Sequence, residues 1–448
     1  MSKFHTDYYG THVKFTEYPK FGILSSVKVV TTGINIAGPF AGSFMSEMGA
    51  QVVQIEHPLQ PCSTRGNYGY AQDHRNGFSL GLNTHSPKGV EVFKKLLGWA
   101  DLWIESGRPG TYAKMGLTDE FIWENINPKL SIVHVSGYGQ FGPYKNKASY
   151  DVSGQAMGGY MYMNGVSPES GPLKVNPYLS DYVTAYNACI CALAGHIHAL
   201  KWGEGDSADV AQYDNMFRLL DNYPTVWFNK EMPKNGEPVK LRTGNKHDMS
   251  ACFSFYDTAD GGAIFVAIVG QGPVERGYPI IGMGKVGEGD IPAGCTGFPL
   301  FDPRGAKAEK LMEEFCAART AKELEEIFEA AGIPNQRCYG PEDIINDPQF
   351  EARENIIEWE DAVFGKMKGI GLINRFKKNP SKVVGTAPTF GEHNREVLTA
   401  FGYSAEEIDD MFAKREMNYW SAKDTAVNKA LAAWGFFWSK EQSERLGL

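Results

Sequence analysis

In the first third of the chain, apolar residues come in short runs separated by turn-forming residues, and stretches with strand-like and helix-like spacing alternate. Val27–Thr32, Gln51–Glu56, Leu102–Glu105 and Ser131–Ser136 are short and rich in Val and Ile, which predicts strands. Pro39–Met48 reads as a helix between the first two. Ser86-Pro87 opens another, a capping serine followed by proline at the first helical position, with Phe93, Leu96, Leu97 and Ala100 as its apolar stripe. Strands alternating with helices predict a parallel, doubly wound α/β sheet.

Further along, a helix is expected over 182–200, then the turn Gly203-Glu204-Gly205-Asp206 and a short strand Ala208–Gln212. Residues 229–250 are polar, with Pro, Asn and Gly, and read as a linker. Beyond them lie an expected strand Ala263–Val269, a Gly/Pro-rich stretch to about Pro303, and helices over 305–317 and 320–331. Pro348 to Arg353 starts another helical turn, and Ser404-Ala405-Glu406-Glu407 is a capping box. Residues 1–20 read as an arm, and the last thirty, with Trp420, Trp434 and Trp438, as a helical tail.

With 448 residues the chain has room for two or more domains. A formal charge of −9 speaks against a nonspecific grip on nucleic acid or anionic membrane. The seven cysteines are odd in number and contain no CxxC pair, so neither a disulfide framework nor a metal site is expected. His196 and His198, two apart, cannot share a helix face. The start MSKFHTDYYGTHVKF lacks an apolar signal region and no run approaches a membrane span, so a cytoplasmic protein is expected.

Three features carry candidate chemistry. GINIAG at 33–38 follows a strand, opens a helix and precedes Glu56 by about twenty positions, as a dinucleotide site would require; Asn35, however, stands where such a loop needs glycine. Gly137-Tyr138-Gly139-Gln140-Phe141-Gly142 has the glycine spacing, but Pro143-Tyr144-Lys145-Asn146-Lys147 is not the helix it must open. Arg75, Arg108 and Lys114 fall near predicted strand ends, where a phosphorylated cofactor would need cations and where solvated surface charge is equally at home. Asp181 is the only formal charge between Lys174 and Lys201, at the mouth of an apolar helix. Its simplest role is the cap of helix 182–200; a nucleophile held by helix-end donors is the other.

Several motifs in order settle more than any one of them. TGINIAGPFAG (32–42), GAQVVQIE (49–56), HVSGYGQFGP (134–143), SYDVSGQAMGGYMYMNG (149–165) and NPYLSDY (176–182) resemble the family III CoA transferases, over about residues 19–415. The branch of carnitine and bile-acid CoA transferases is most similar, and RGNYGYAQDHRN (65–76) looks most like the bile-acid enzymes. The resemblance implies a Rossmann-like large domain built from both chain ends (1–228 and 346–448), an inserted small α+β domain (251–345), and an interlocked homodimer. It implies that Asp181 is the catalytic nucleophile, moving CoA between an acyl-CoA and a free carboxylic acid through an aspartyl anhydride and an enzyme–CoA thioester. No permanently bound cofactor is expected; CoA enters as substrate.

The positions matching the family's CoA contacts are Asn35, Ile36, His57, Arg75, Asn76, Arg108, Lys114, Met115, Gly137 and Tyr138. His57 stands where many relatives have Arg, and Met115 where the carnitine enzyme has a second basic residue. Where the oxalate branch carries a run of glycines forming a lid, this chain has only Val269-Gly270-Gln271-Gly272 nearby, so a matching lid is not expected. Met157, Tyr160, Met161, Tyr162 and Met163 are candidates for an apolar pocket for a sterol acid, or equally a core segment. The alternatives are a carnitine- or betaine-type transferase, an acyl-CoA hydrolase, a non-catalytic acyl-CoA binder and, more remotely, an NAD-dependent oxidoreductase resting on Glu56.

Overall fold

Short strands pair side by side in the computed structural model, which describes residues 13–167, 169–229, 242–247 and 249–424. Six of them, β1 Lys28–Thr32, β2 Gln51–Glu56, β3 Phe78–Gly81, β4 Leu102–Glu105, β5 Ser131–Ser136 and β6 Ser207–Ala211, form a parallel sheet. The order is β3-β2-β1-β4-β5-β6. Val30 lies opposite Val53 of β2 and Trp103 of β4, and all three are fully buried.

Successive strand residues face opposite ways, so each face needs its own cover. Phe93, Leu96 and Leu97 of helix Pro87–Trp99 pack with Val30, Val53 and Ile132 on one face. Ala41 and Met45 of helix Ala37–Glu47, with Ala185, Ala188 and Ala192 of helix Leu179–Trp202, pack with Val29, Val52 and Ile104 on the other. This is the expected doubly wound arrangement. The strand order reverses between β1 and β4, which opens a crevice at their carboxyl ends.

Expected strands and helices recur with ends that match or shift by at most three residues; Ser86 caps its helix by accepting from the Gly89 N–H at 3.2 Å. Strand β3 was not expected. Its sequence FSLG carries no β-branched residue, and distant groups complete its edge. Ser79 N–H donates to His393 Nδ1 (3.1 Å) and Gly81 N–H to Asn394 Oδ1 (2.9 Å).

One expectation is corrected. Helix Leu179–Trp202 has a window of mean hydropathy 1.2 and is, among the described residues, long and apolar enough by composition to cross a membrane. Its small-residue face is packed on the sheet, which is the use a core helix makes of such a sequence.

The chain divides into two compact units: residues 1–158, 176–219 and 348–448, and residues 159–175 and 220–347. Residues 159–175 and 220–228, expected in the large domain, thus belong to the second unit. That unit holds the antiparallel sheet β7 Phe253–Asp257, β8 Ala263–Ala267 and β9 Asn335–Arg337, packed with helices Gln271–Ile280, Pro303–Ala317 and Ala321–Ala330. In the first unit the return segment forms the hairpin β10 Ile356–Asp361 and β11 Gly365–Ile370. Residues 1–12 of the expected arm, 230–241 and 248 of the expected linker, and the tail beyond Asp424 with Trp434 and Trp438 lie outside the described residues.

Candidate active site

Helix Leu179–Trp202 begins without a side-chain cap from Tyr178, and Asp181 sits in its first turn. The capping acceptor comes from elsewhere. Asp151 Oδ1 accepts from the N–H groups of Ser180 (2.7 Å) and Asp181 (3.2 Å), while its Oδ2 accepts from Gln155 Nε2 (2.7 Å). Asp151 opens helix Asp151–Met157, and Gly154 of that helix lets the two helices touch. A Cβ there would lie 2.2 Å from Ser180 Oγ. Capping by Asp181 itself is therefore corrected: its carboxylate is not used on the helix end.

Instead, Asp181 Oδ1 accepts from Gln212 Nε2. Gln212 directly follows β6, is buried, and accepts through Oε1 from Ser149 Oγ at 3.2 Å. Among the described residues, Asp181 Oδ2 has no hydrogen-bond partner. Burial, then the Asp151 charge, push the Asp181 carboxyl up to about 7, and the Gln212 amide works against them. Next in the chain, Tyr182 donates its hydroxyl to Asp73 Oδ2 (2.6 Å) and sets its ring edge-on to Phe40.

The predicted contact residues divide into two sets. Asn35, Ile36, His57, Arg108, Lys114, Met115, Gly137 and Tyr138 follow the carboxyl ends of β1, β2, β4 and β5. Asn35 takes φ +68° and donates its N–H to Cys62 Sγ (3.3 Å), turning the chain into Ile36 at the start of helix Ala37–Glu47. Burial, then His85, lower the His57 imidazole pKa, so it is neutral and accepts from the Leu59 N–H. Arg108 and Lys114 are exposed, and Met115 packs against the core. Gly137 is required by close packing, since a Cβ would lie 1.8 Å from Ser149 Oγ.

Arg75 and Asn76 do not join them. The Arg75 side chain, 3% exposed, donates to Glu47 Oε1 (2.5 Å) and the Ile370 carbonyl (3.0 Å), and its guanidinium lies over Trp359. Asn76 accepts from Val384 and Gly385 N–H and donates to the Lys382 carbonyl. Both side chains hold the return segment in this structure. Glu56 cannot hold a ribose. Its carboxylate is buried against Arg65 at 2.5 Å and accepts from the Cys62 N–H at 2.8 Å. After Gly142 come turns and no helix.

A cavity of about 850 Å³ opens at the carboxyl end of β4 and along β5 and the first half of β6, lined by Glu105, Lys114, Asp119, Glu120, Lys145 and Asp209 among others. In its wall His134 bonds through Nδ1 to Glu105 (2.7 Å) and through Nε2 to Asp119 (3.1 Å). Burial alone would lower the His134 pKa; the Asp119 and Glu105 carboxylates more than reverse this and push it up to about 10. This histidine was missed, because one His inside a strand sequence carries no signal. Asp151, Ser149 and Gln212 were missed as partners of Asp181, although SYD lay within a quoted motif. In the second unit Tyr162 and Met163 line an apolar hollow of about 170 Å³ with Leu220, Tyr223, Trp227 and Phe228.

The doubly wound sheet is shared with a known class of protein. The chain matches the model of CoA-transferase family III over residues 24–394 and belongs to that family; it is a CoA transferase. It is 48% identical over 404 residues to the bile acid CoA-transferase BaiK of Clostridium scindens, covering 89% of this chain and 90% of that one. The solved structure of a CAIB/BAIF family protein from Brucella suis is similar at TM-score 0.71 and 25% identity, covering 85% of this chain and 99% of that chain. Rv3272 from Mycobacterium tuberculosis shares the fold, with TM-score 0.67 and 21% identity over 84% of this chain and 99% of that one.

Proposed function

We propose that this enzyme moves CoA between an acyl-CoA thioester and a free carboxylic acid, that the acyl group is a bile acid or a related bulky acid, and that Asp181 is the nucleophile. The observation that carries the mechanism is the unequal setting of the Asp181 oxygens, one held by Gln212 and the other without a donor. Oδ2 attacks the thioester carbonyl and CoA leaves as thiolate, giving an acyl–aspartyl anhydride. The thiolate attacks Cγ of Asp181 and expels the first acid, leaving an enzyme–CoA thioester; the second acid reverses both steps. The thioester energy is conserved through each step, so no ATP is consumed.

The cavity at β4 to β6 is the proposed seat for part of CoA, with Lys114 facing its phosphates. The bile-acid assignment rests on the similarity to BaiK, and the hollow at Tyr162 and Trp227 has the aromatic, apolar lining a sterol face would meet. Seven free thiols suit a reducing cytoplasm, and we place the enzyme there as an interlocked homodimer.

The test begins with a screen of acyl-CoA donors against bile acids, carnitine and aryl acids, followed by intact mass. The expected result is transfer to bile acids and a CoA-sized adduct on the parent that hydroxylamine removes. Asp181→Ala should bind CoA but lose transfer and adduct together. Undiminished transfer by Asp181→Ala would overturn the nucleophile assignment, and fast release of free acid without an acceptor would make the enzyme a hydrolase.

A further inference from the structure

We infer that Gln212 is a catalytic residue, its side-chain amide serving as the oxyanion donor for attack on the aspartyl carbonyl. The inference rests on the proposed role of Asp181 and goes one step beyond it. Gln212 Nε2 already lies against Oδ1 of Asp181, and Oδ2 is the oxygen left to react. Once Oδ2 is acylated, Oδ1 is the carbonyl oxygen of the aspartyl half of the anhydride. CoA thiolate then forms the S–Cγ bond, and the C=O π pair moves onto Oδ1. When that pair returns, the Cγ–Oδ2 bond breaks and the acid departs as its carboxylate with Oδ2. Negative charge therefore gathers on the atom Gln212 touches, in both directions of the exchange.

Three further facts fit this role. Gln212 is 6% exposed, so its amide keeps its strength in a setting with little water. Ser149 Oγ donates to its Oε1, which fixes the amide with NH₂ toward Asp181. An ionised carboxylate accepts only, so it demands the same orientation. The backbone also supports it: Gln212 is the first residue beyond β6, and Asn215 one turn on donates to the Ala211 carbonyl and accepts from Asn187 of the nucleophile's own helix.

The test uses the full chain and the donor–acceptor pair on which the parent turns over fastest. Gln212→Met keeps length and removes the donor. It should leave KM for the acyl-CoA within about threefold and lower kcat by roughly 10²–10³. Gln212→Glu keeps the shape and the bond from Ser149. It should be as impaired at alkaline pH, then recover as acid protonates the new carboxyl and restores a donor, whereas the parent loses activity over the same range. A kcat for Gln212→Met within threefold of the parent, or a Gln212→Glu profile parallel to the parent's, overturns the inference. If Gln212→Met does not fold, the Gln212→Glu profile decides alone. Activity in Asp181→Ala would instead overturn the nucleophile reading, so the two failures are distinct.

Discussion

In the role proposed for Asp181 two demands meet, since a nucleophile needs an available electron pair and burial resists the charge that supplies it. Burial first and Asp151 second raise the carboxyl from an ordinary 3.8 to about 7. Transfer should therefore rise with pH along a limb centred near 7. Asp151→Asn removes the like charge while keeping an oxygen for the helix end, and pH–rate profiles should show that limb displaced toward acid. The same shift acts on stability. Between pH 3.8 and about 7 the folded chain binds more protons at this group than the unfolded chain, so stability falls as pH rises through that window and the loss is complete above it. Asp181→Asn should melt above the parent near pH 8 and with it near pH 4. A difference that persists unchanged into acid would contradict this origin.

Among the elements, β4, β5 and helix Asp119–Asn125 are joined by the Glu105–His134–Asp119 group. His134 has a folded pKa of about 10 against an ordinary 6.5. Its contribution is thus fully present below pH 6.5 and is lost as pH rises through 10. His134→Leu should destabilise by about 2–4 kcal/mol near neutral pH by leaving two carboxylates without their cation. Melting midpoints should converge as pH approaches 10, and a constant gap would assign the loss to packing alone. None of this was legible in the sequence, where the three residues are ordinary members of separate elements. Central strands were legible because their branched apolar runs are local; β3 was not, because its partners at His393 and Asn394 lie at the far end of the chain.

For the molecule as a whole, motif order made the family readable, while only the fold shows which neighbours each quoted side chain has. Arg75 read as a phosphate ligand because it falls near a predicted strand end and matches a family position; only the fold brings Glu47 and Ile370 to it. Helix Leu179–Trp202 shows the same division, for its inner face is packed while Ile190, Ile197, Leu200 and Trp202 are 59–72% exposed. These side chains are the surface we assign to a second copy. Sedimentation should report a dimer near twice 49.5 kDa, and Ile190→Glu with Ile197→Glu should shift it to monomer. A parent that sediments as a monomer would remove the homodimer from the proposal.

Because Asp151, and not the proposed nucleophile, completes the start of that helix, a change of side chain at position 181 leaves the helix start in place. Asp181→Ser and Asp181→Cys inherit an intact helix start, but their side chains end one bond short of the oxygen that Gln212 touches. The scaffold is thereby open, in Asp181→Cys, to covalent capture by a thiol-reactive substrate analogue.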